Sequence, residues 1–111
     1  MYNGHTERLT ENERVILSLI GEGKANGTSL RTLSTLSHLP EREMRQLIEN
    51  MRRAGIIILS GANGYFFPAD DSEIEDYVRR EDKRARSIMY TLKTARRYLK
   101  ERRKTTDGKN R

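Results

Sequence analysis

The chain has 111 residues, 34% of them hydrophobic and 34% charged, with a formal net charge of +6, which predicts one domain with a small core plus an appended element. It contains no Cys, which excludes disulfides and thiolate metal sites, and neither His5 nor His38 sits in a carboxylate–histidine cluster, so no metal and no cofactor is expected. No apolar stretch approaches the ~20 residues of a membrane span, and "MYNGHTERLT" lacks the apolar core of a signal peptide, so a soluble, cytoplasmic protein is expected.

The first helix is marked by Thr10 followed three residues later by Glu13, a capping box. Leu9 is placed to staple onto its first turn, and Val15, Ile16, Leu19 and Ile20 form an apolar stripe at helical spacing. Gly21 and Gly23 end the helix, and "KANGTS" reads as a loop. A second, shorter helix is predicted from Ser29, its cap, to Ser37, with Leu30, Leu33 and Leu36 on one face. "SHLP" breaks it, because the residue before a proline disfavours helical backbone. A third helix starts at Pro40, a favoured first-turn residue, with Glu41 and Glu43 at the positive end of its dipole. Met44, Leu47, Ile48 and Met51 face inward, Arg52 and Arg53 occupy the last turn, and Gly55 stops the helix.

Ile56 to Leu59 is an apolar run suited to a strand. "SGANG" is a turn in which Gly61, Asn63 and Gly64 tolerate positive φ, and "YFF" is a second strand ended by Pro68. Together they predict a β-hairpin. Asp71 or Ser72 then caps a long helix reaching Lys104. Within it Ile74, Val78, Glu81, Ala85, Ile88, Leu92, Ala95 and Leu99 alternate spacings of four and three, a heptad pattern flawed only at Glu81. Met89 and Tyr98 widen that stripe. The tail, residues 105–111, is polar and reads as disordered.

The fold class expected is therefore mainly α with a small β-hairpin. Across residues 8–70 the order helix, helix, tight break, helix, hairpin resembles a winged helix-turn-helix domain. The resemblance rests on the capped first helix, the segment "TSLRTLSTLSHLPEREMRQLIENMRRAG", the glycine after its second helix, and the hairpin. The run from "MRRAGIIILSGANGYFFPAD" into "SEIEDYVRREDKRARSI" is similar to small winged-helix proteins encoded by phages and prophages of Gram-positive bacteria.

The resemblance implies binding to double-stranded DNA, with helix 40–54 entering the major groove. The face of that helix opposite its apolar side carries Arg42, Glu43, Arg45, Gln46 and Glu49. Arg pairs with guanine edges, Gln with adenine, and Glu with the cytosine amino group. Thr28, Ser29, Arg31 and Thr32, at the start of the second helix, and His38 in the turn are placed for phosphate contact. The wing tip, Ser60 to Gly64, lies against the backbone or minor groove, with Asn63 as its polar side chain. Two features oppose this reading. The tip holds no Lys or Arg, and residues 1–69 carry 8 basic against 7 acidic residues, a net of only +1, where a DNA binder leans on phosphate neutralisation.

The missing charge lies further on. Residues 1–78 hold 8 Lys/Arg and 12 Asp/Glu, a net of −4; residues 79–111 hold 14 and 4, a net of +10. Such asymmetry points to contact with a polyanion through the basic end. The seam of the long helix needs a partner as well. Ile74, Tyr77 and Val78 are expected to pack on their own domain, whereas Ala85, Ile88, Leu92, Ala95 and Leu99 predict a homodimer that brings two winged domains together. Like charges flanking the seam oppose a tight parallel pair and leave an antiparallel pair, or one supported by DNA. A lone solvated helix is the competing reading.

The leading functional expectation is a sequence-specific DNA-binding protein without catalysis, acting in transcription regulation or in phage-type DNA replication initiation. The alternative is a protein–protein interaction module that uses the same fold without DNA, favoured by the near-neutral domain and the acidic "DDSEIED". RNA binding through the basic helix is a weaker third reading. An enzyme is not expected, since there is no Cys, no phosphate-cradling glycine motif and no His paired with a nucleophile. No small-molecule effector and no membrane partner can be read.

Overall fold

A computed structural model describes residues 9–109 of the chain; His5, the expected domain start at Arg8, and Asn110 and Arg111 of the expected tail lie outside the described residues. Thr10 sets the start of α1 (Glu11–Leu19). Its Oγ1 accepts the Glu13 amide at 3.2 Å, and Glu13 Oε1 accepts the Thr10 amide at 3.0 Å, so the expected capping box forms. Leu9 is buried beside it. The buried stripe of α1 runs Glu13, Ile16, Leu17 and the cap residue Ile20, with Val15 exposed. This corrects the expected stripe through Val15. Apolar residues fill five of the six positions from 15 to 20, so periodicity alone does not choose between neighbouring faces.

Ser29 caps α2 (Leu30–Ser37), accepting the Thr32 amide at 3.0 Å. Only Leu33 is buried; Leu30 is half-buried, and Leu36, expected on the same face, is exposed. The break falls at His38, which takes the left-handed conformation (φ 60°, ψ 31°) and donates its amide to the Ser34 carbonyl. Ser34 Oγ in turn donates to the Leu39 carbonyl, which fixes the turn before Pro40. α3 (Glu41–Arg53) follows, with Pro40 as its N-cap and not its first helical residue. Met44, Ile48 and Met51 are fully buried and Leu47 packs against the core from a partly buried position. At the far end Gly55 (φ 99°) donates to Arg52 O and Ile56 donates to Met51 O, the paired bonds of a Schellman stop.

The chain then runs extended through Ile56 and Ile58, both buried, before the sheet begins. The sheet has three strands in the order β1 (Gly21–Glu22), β3 (Gly64–Phe67), β2 (Leu59–Gly61). β2 and β3 are antiparallel, with Leu59 opposite Phe66, Ser60 opposite Tyr65 and Gly61 opposite Gly64. The hairpin is therefore shorter and tighter than expected: the strands start at Leu59 rather than Ile56, and its loop is Ala62 and Asn63 alone. Ser60 and Gly61 of the supposed turn are strand residues. Gly64 is the one residue of the tip that uses positive φ (104°).

β1 lies on the other side of β3 and is parallel to it, pairing Gly21 with Phe66 and Glu22 with Phe67. A bridge from Thr28 to Tyr65 extends that side, with hydrogen bonds in both directions at 2.8 and 2.9 Å. The segment expected to end α1 and wander as a loop is thus a strand, a short 3-10 turn (Lys24–Asn26) and a bridge, all anchored on β3. The core is the cluster of Leu9, Ile16, Leu17, Ile20, Leu33, Met44, Ile48, Met51, Ile56, Ile58 and Phe67. At ~1.5–3 kcal/mol for each large side chain buried, it supplies the main force holding the three helices to the sheet.

α4 (Asp71–Lys109) closes the chain. Its cap is Asp70, not Asp71 or Ser72: Asp70 Oδ1 accepts the Glu73 amide at 3.1 Å and the Ser72 hydroxyl at 2.7 Å. Those two bonds hold the Asp70 carboxyl below the usual aspartate range. The Glu73 carboxylate accepts the amides of Ala69, at 2.8 Å, and Lys24, at 2.9 Å. The helix continues to Lys109, past the expected end at Lys104 and through most of the tail read as disordered. The molecule divides into two units, residues up to Tyr77 and residues from Val78 onward. No helix among the described residues is long and apolar enough to cross a membrane.

Candidate nucleic-acid interface

The α2–turn–α3 segment places the residues expected to read a duplex. Because Met44, Ile48 and Met51 turn inward, Arg42, Glu43, Arg45, Gln46 and Glu49 are all exposed on the other side of α3. Pro40, Arg42, Glu43 and Gln46 line a shallow concavity at its start. These side chains are not equally available. Glu49 is 3.6 Å from Arg53 in an i,i+4 ion pair, and the Gln46 amide donates to Asn50 Oδ1 at 2.9 Å. Arg42 and Arg45 make no salt bridge with the described residues. Exposed i,i+4 pairs contribute only ~0.3–0.5 kcal/mol, so Glu49 and Gln46 can be drawn away by a stronger partner at little cost.

The residues at the start of α2 divide. Arg31 and Thr32 are exposed, and Ser29 Oγ both accepts the Thr32 amide and donates to its hydroxyl at 2.9 Å. Thr28 is different. Its hydroxyl donates to the Leu19 carbonyl at 2.9 Å, and its backbone is paired with Tyr65. Its hydroxyl proton is used within the domain, tying the end of α1 to the segment that pairs with β3. The β3 bridge draws Thr28 into the sheet. His38 is exposed, and its left-handed backbone is what turns the chain from α2 into α3.

Asn63 is exposed at the tip of the hairpin, but its backbone is held close to the body of the domain. A Cβ on Gly27 would lie 2.7 Å from the Asn63 carbonyl oxygen, so the hairpin tip approaches the segment before α2 closely. The hairpin is tucked against the domain at Gly27 and Thr28.

Arg52, read from the sequence only as a charge in the last turn of α3, has a structural role. Its Nε donates to the Ile58 carbonyl at 2.8 Å, and its guanidinium lies 5.6 Å from the Tyr65 ring centre and 6.0 Å from that of Tyr77. One side chain therefore joins α3, the strand approach, β3 and the first turns of α4. Its Nη2 is buried without a hydrogen-bond partner among the described residues, a cost that the hydrogen bond and the two ring contacts offset. Only the i, i+13 and i, i+25 separations from Arg52 to Tyr65 and Tyr77 mark this cluster, and sequence spacing carries no signal at that range.

In the second unit every side chain from Asp82 to Thr105 is exposed. Arg86, Lys93, Arg97 and Lys104, spaced seven, four and seven, lie along one line of α4. The seam Ala85, Ile88, Leu92, Ala95 and Leu99 lies along the opposite line. Arg86 is 3.1 Å from Asp82; Lys93, Arg97 and Lys104 make no salt bridge with the described residues. No group of three His, Asp or Glu among the described residues could hold a metal ion. Comparison with protein-family models, with characterised proteins and with solved structures found no match.

Proposed function

We propose that the protein is a sequence-specific double-stranded DNA-binding protein of winged helix-turn-helix type, with α3 as its reader. The observation that carries this reading is the exposed face of α3. It presents two arginines, Arg42 and Arg45, without ion pairs among the described residues, beside Gln46 and Glu49, on a helix set off from α2 by the tight turn at His38. Arginine free of an acidic partner is the side chain best suited to a bidentate contact with guanine. The wing, tucked back at Gly27, covers the core and leaves the grip to other elements. The near-neutral domain supplies selectivity, and the basic line of α4 supplies sequence-independent contacts with phosphate. Regulation of transcription and initiation of DNA replication both use such a reader.

Selection of bound sequences from random duplex DNA tests the proposal. The expected result is a defined site, whose preference relaxes when Arg45 and Gln46 are replaced together by Ala. A selected site bound equally well by that variant removes α3 as the reader. Failure to enrich any sequence removes the DNA reading and leaves the interaction-module reading in its place.

A further inference from the structure

We propose that the apolar seam of α4 between Ala85 and Leu99 is covered by the same seam of a second copy of this chain, running antiparallel. The inference concerns α4 alone and holds whether or not α3 reads DNA.

The seam is exposed where it is most apolar: Ile88 is 50% exposed, Leu92 40% and Leu99 52%. Shallow grooves flank it on both sides, one lined by Ala85, Met89 and Tyr90 together with Arg86, Lys93 and Arg96, the other by Tyr90, Thr91, Thr94, Ala95, Tyr98 and Leu99. Ala85 and Ala95 leave holes in two of the five layers, into which the larger side chains of a facing helix fit. The rest of the helix does little to hold itself together. From Lys83 to Thr105 it carries ten Lys/Arg and one acid, Glu101. At the start of this stretch Glu81 pairs with Arg84, at 3.8 Å, and Asp82 with Arg86, at 3.1 Å. A helix this uniformly charged draws most of its stability from a partner on its apolar face.

The charges at the two ends of the seam complement those of a second copy in one direction only. A parallel pair sets ten cations against ten. In an antiparallel pair centred on Leu92, Glu81 stands eleven residues before the centre and Arg103 eleven after it, while Asp82 and Arg102 stand ten before and ten after. Each copy's Glu81 and Asp82 thus come level with the other copy's Arg103 and Arg102, and the two-fold repeats this at the other end. Glu81, the one flaw in the heptad pattern, gains a counter-charge at the position where the apolar repeat fails. Arg86, Lys93, Arg97 and Lys104, on the line opposite the seam, keep their access to a polyanion. The seam spans about 22 Å at 1.5 Å per residue, short for a stable interface, so the end charges matter and the dimer is concentration-dependent.

The full-length chain, without DNA, gives the test. Light scattering at high micromolar concentration is expected to give twice 12.9 kDa, and Leu92→Glu to give the monomer mass with the melting of the N-terminal domain unchanged. Reversing Glu81 and Asp82 to Arg should weaken the dimer about tenfold, and reversing Arg102 and Arg103 to Glu in the same chain should restore it. Because the native chain has no Cys, orientation is read directly: an oxidised mixture of Glu81→Cys and Arg103→Cys chains is expected to give the mixed disulfide. A native chain that stays monomeric overturns the proposal, including one that is monomeric but binds anionic vesicles through the seam. A homodisulfide of Arg103→Cys in preference to the mixed product overturns the antiparallel arrangement, as does a charge reversal that is not rescued.

Discussion

Gly64 shows how a single residue fixes the hairpin. Its φ of 104° lies where other residues are strained, and a Cβ there would run into the Thr28 carbonyl and the Ser29 amide nitrogen. Gly64→Ala is therefore expected to cost ~1–3 kcal/mol, read as a lower midpoint in chemical denaturation, whereas Ala62, exposed in the two-residue loop, should accept most residues with little change. Asp70 gives a charge counterpart at the start of α4. Bonds from the Ser72 hydroxyl and the Glu73 amide favour its ionised form and lower its pKa from the usual 3.8. A lowered carboxylate pKa adds stability that is fully present above the unfolded value and is lost as pH falls through the folded one. The stability gap between the native chain and Asp70→Asn should accordingly be constant from neutral pH down to about 4 and shrink below it. A gap that persists unchanged well below that pH would mean that the amide fails for a reason other than charge.

Elements differ in how openly the sequence declares them, and the turn at His38 shows why. The helices were legible because their signals are local: Thr10 with Glu13, Ser29, and Gly55 after Arg53 each act within one turn of the residues they cap. β1 was not, because two residues, one of them Gly21, carry no periodicity, and their ladder partners Phe66 and Phe67 lie 45 positions away. For the same reason the arginines of α3 could be assigned to its outer face from spacing, whereas Thr28's commitment to Leu19 and Tyr65 could not. The hairpin was placed correctly but drawn too long, since the alternation of Ile56, Ile57 and Ile58 reflects burial without strand pairing. At His38 the sequence pointed to Pro40 as the helix breaker, yet the left-handed residue two positions earlier makes the turn. His38→Gly is expected to raise stability by ~0.5–1 kcal/mol by relieving that conformation, and His38→Val to lower it by ~1–2 kcal/mol. Thermal denaturation of the two variants checks the order; Val equal to the native chain would show that the turn adapts.

For the whole molecule the charge distribution assigns different work to different regions. The domain through Ala69 is nearly neutral, while residues 79–111 carry a net charge of +10. On the proposed function, a reader with so little charge of its own would discriminate between sequences without holding all of them tightly, and affinity for any duplex would come from the basic helix. The two contributions respond differently to salt. Under that proposal base-edge contacts made by α3 would change little with ionic strength, whereas each phosphate neutralised by α4 would contribute about 0.9 to the slope of log affinity against log salt. Replacing Lys93, Arg97 and Lys104 by Gln removes three cations from the line opposite the seam and leaves Ala85, Ile88, Leu92, Ala95 and Leu99 untouched. Affinity for random duplex DNA should then fall with a slope shallower by about 2.7, while the ratio of affinities for a selected site and a random one stays as it was. A slope that does not move would place the phosphate contacts on the domain itself. A ratio that collapses along with the slope would make α4 part of the reader, and the division between a neutral reader and a charged grip would have to be abandoned.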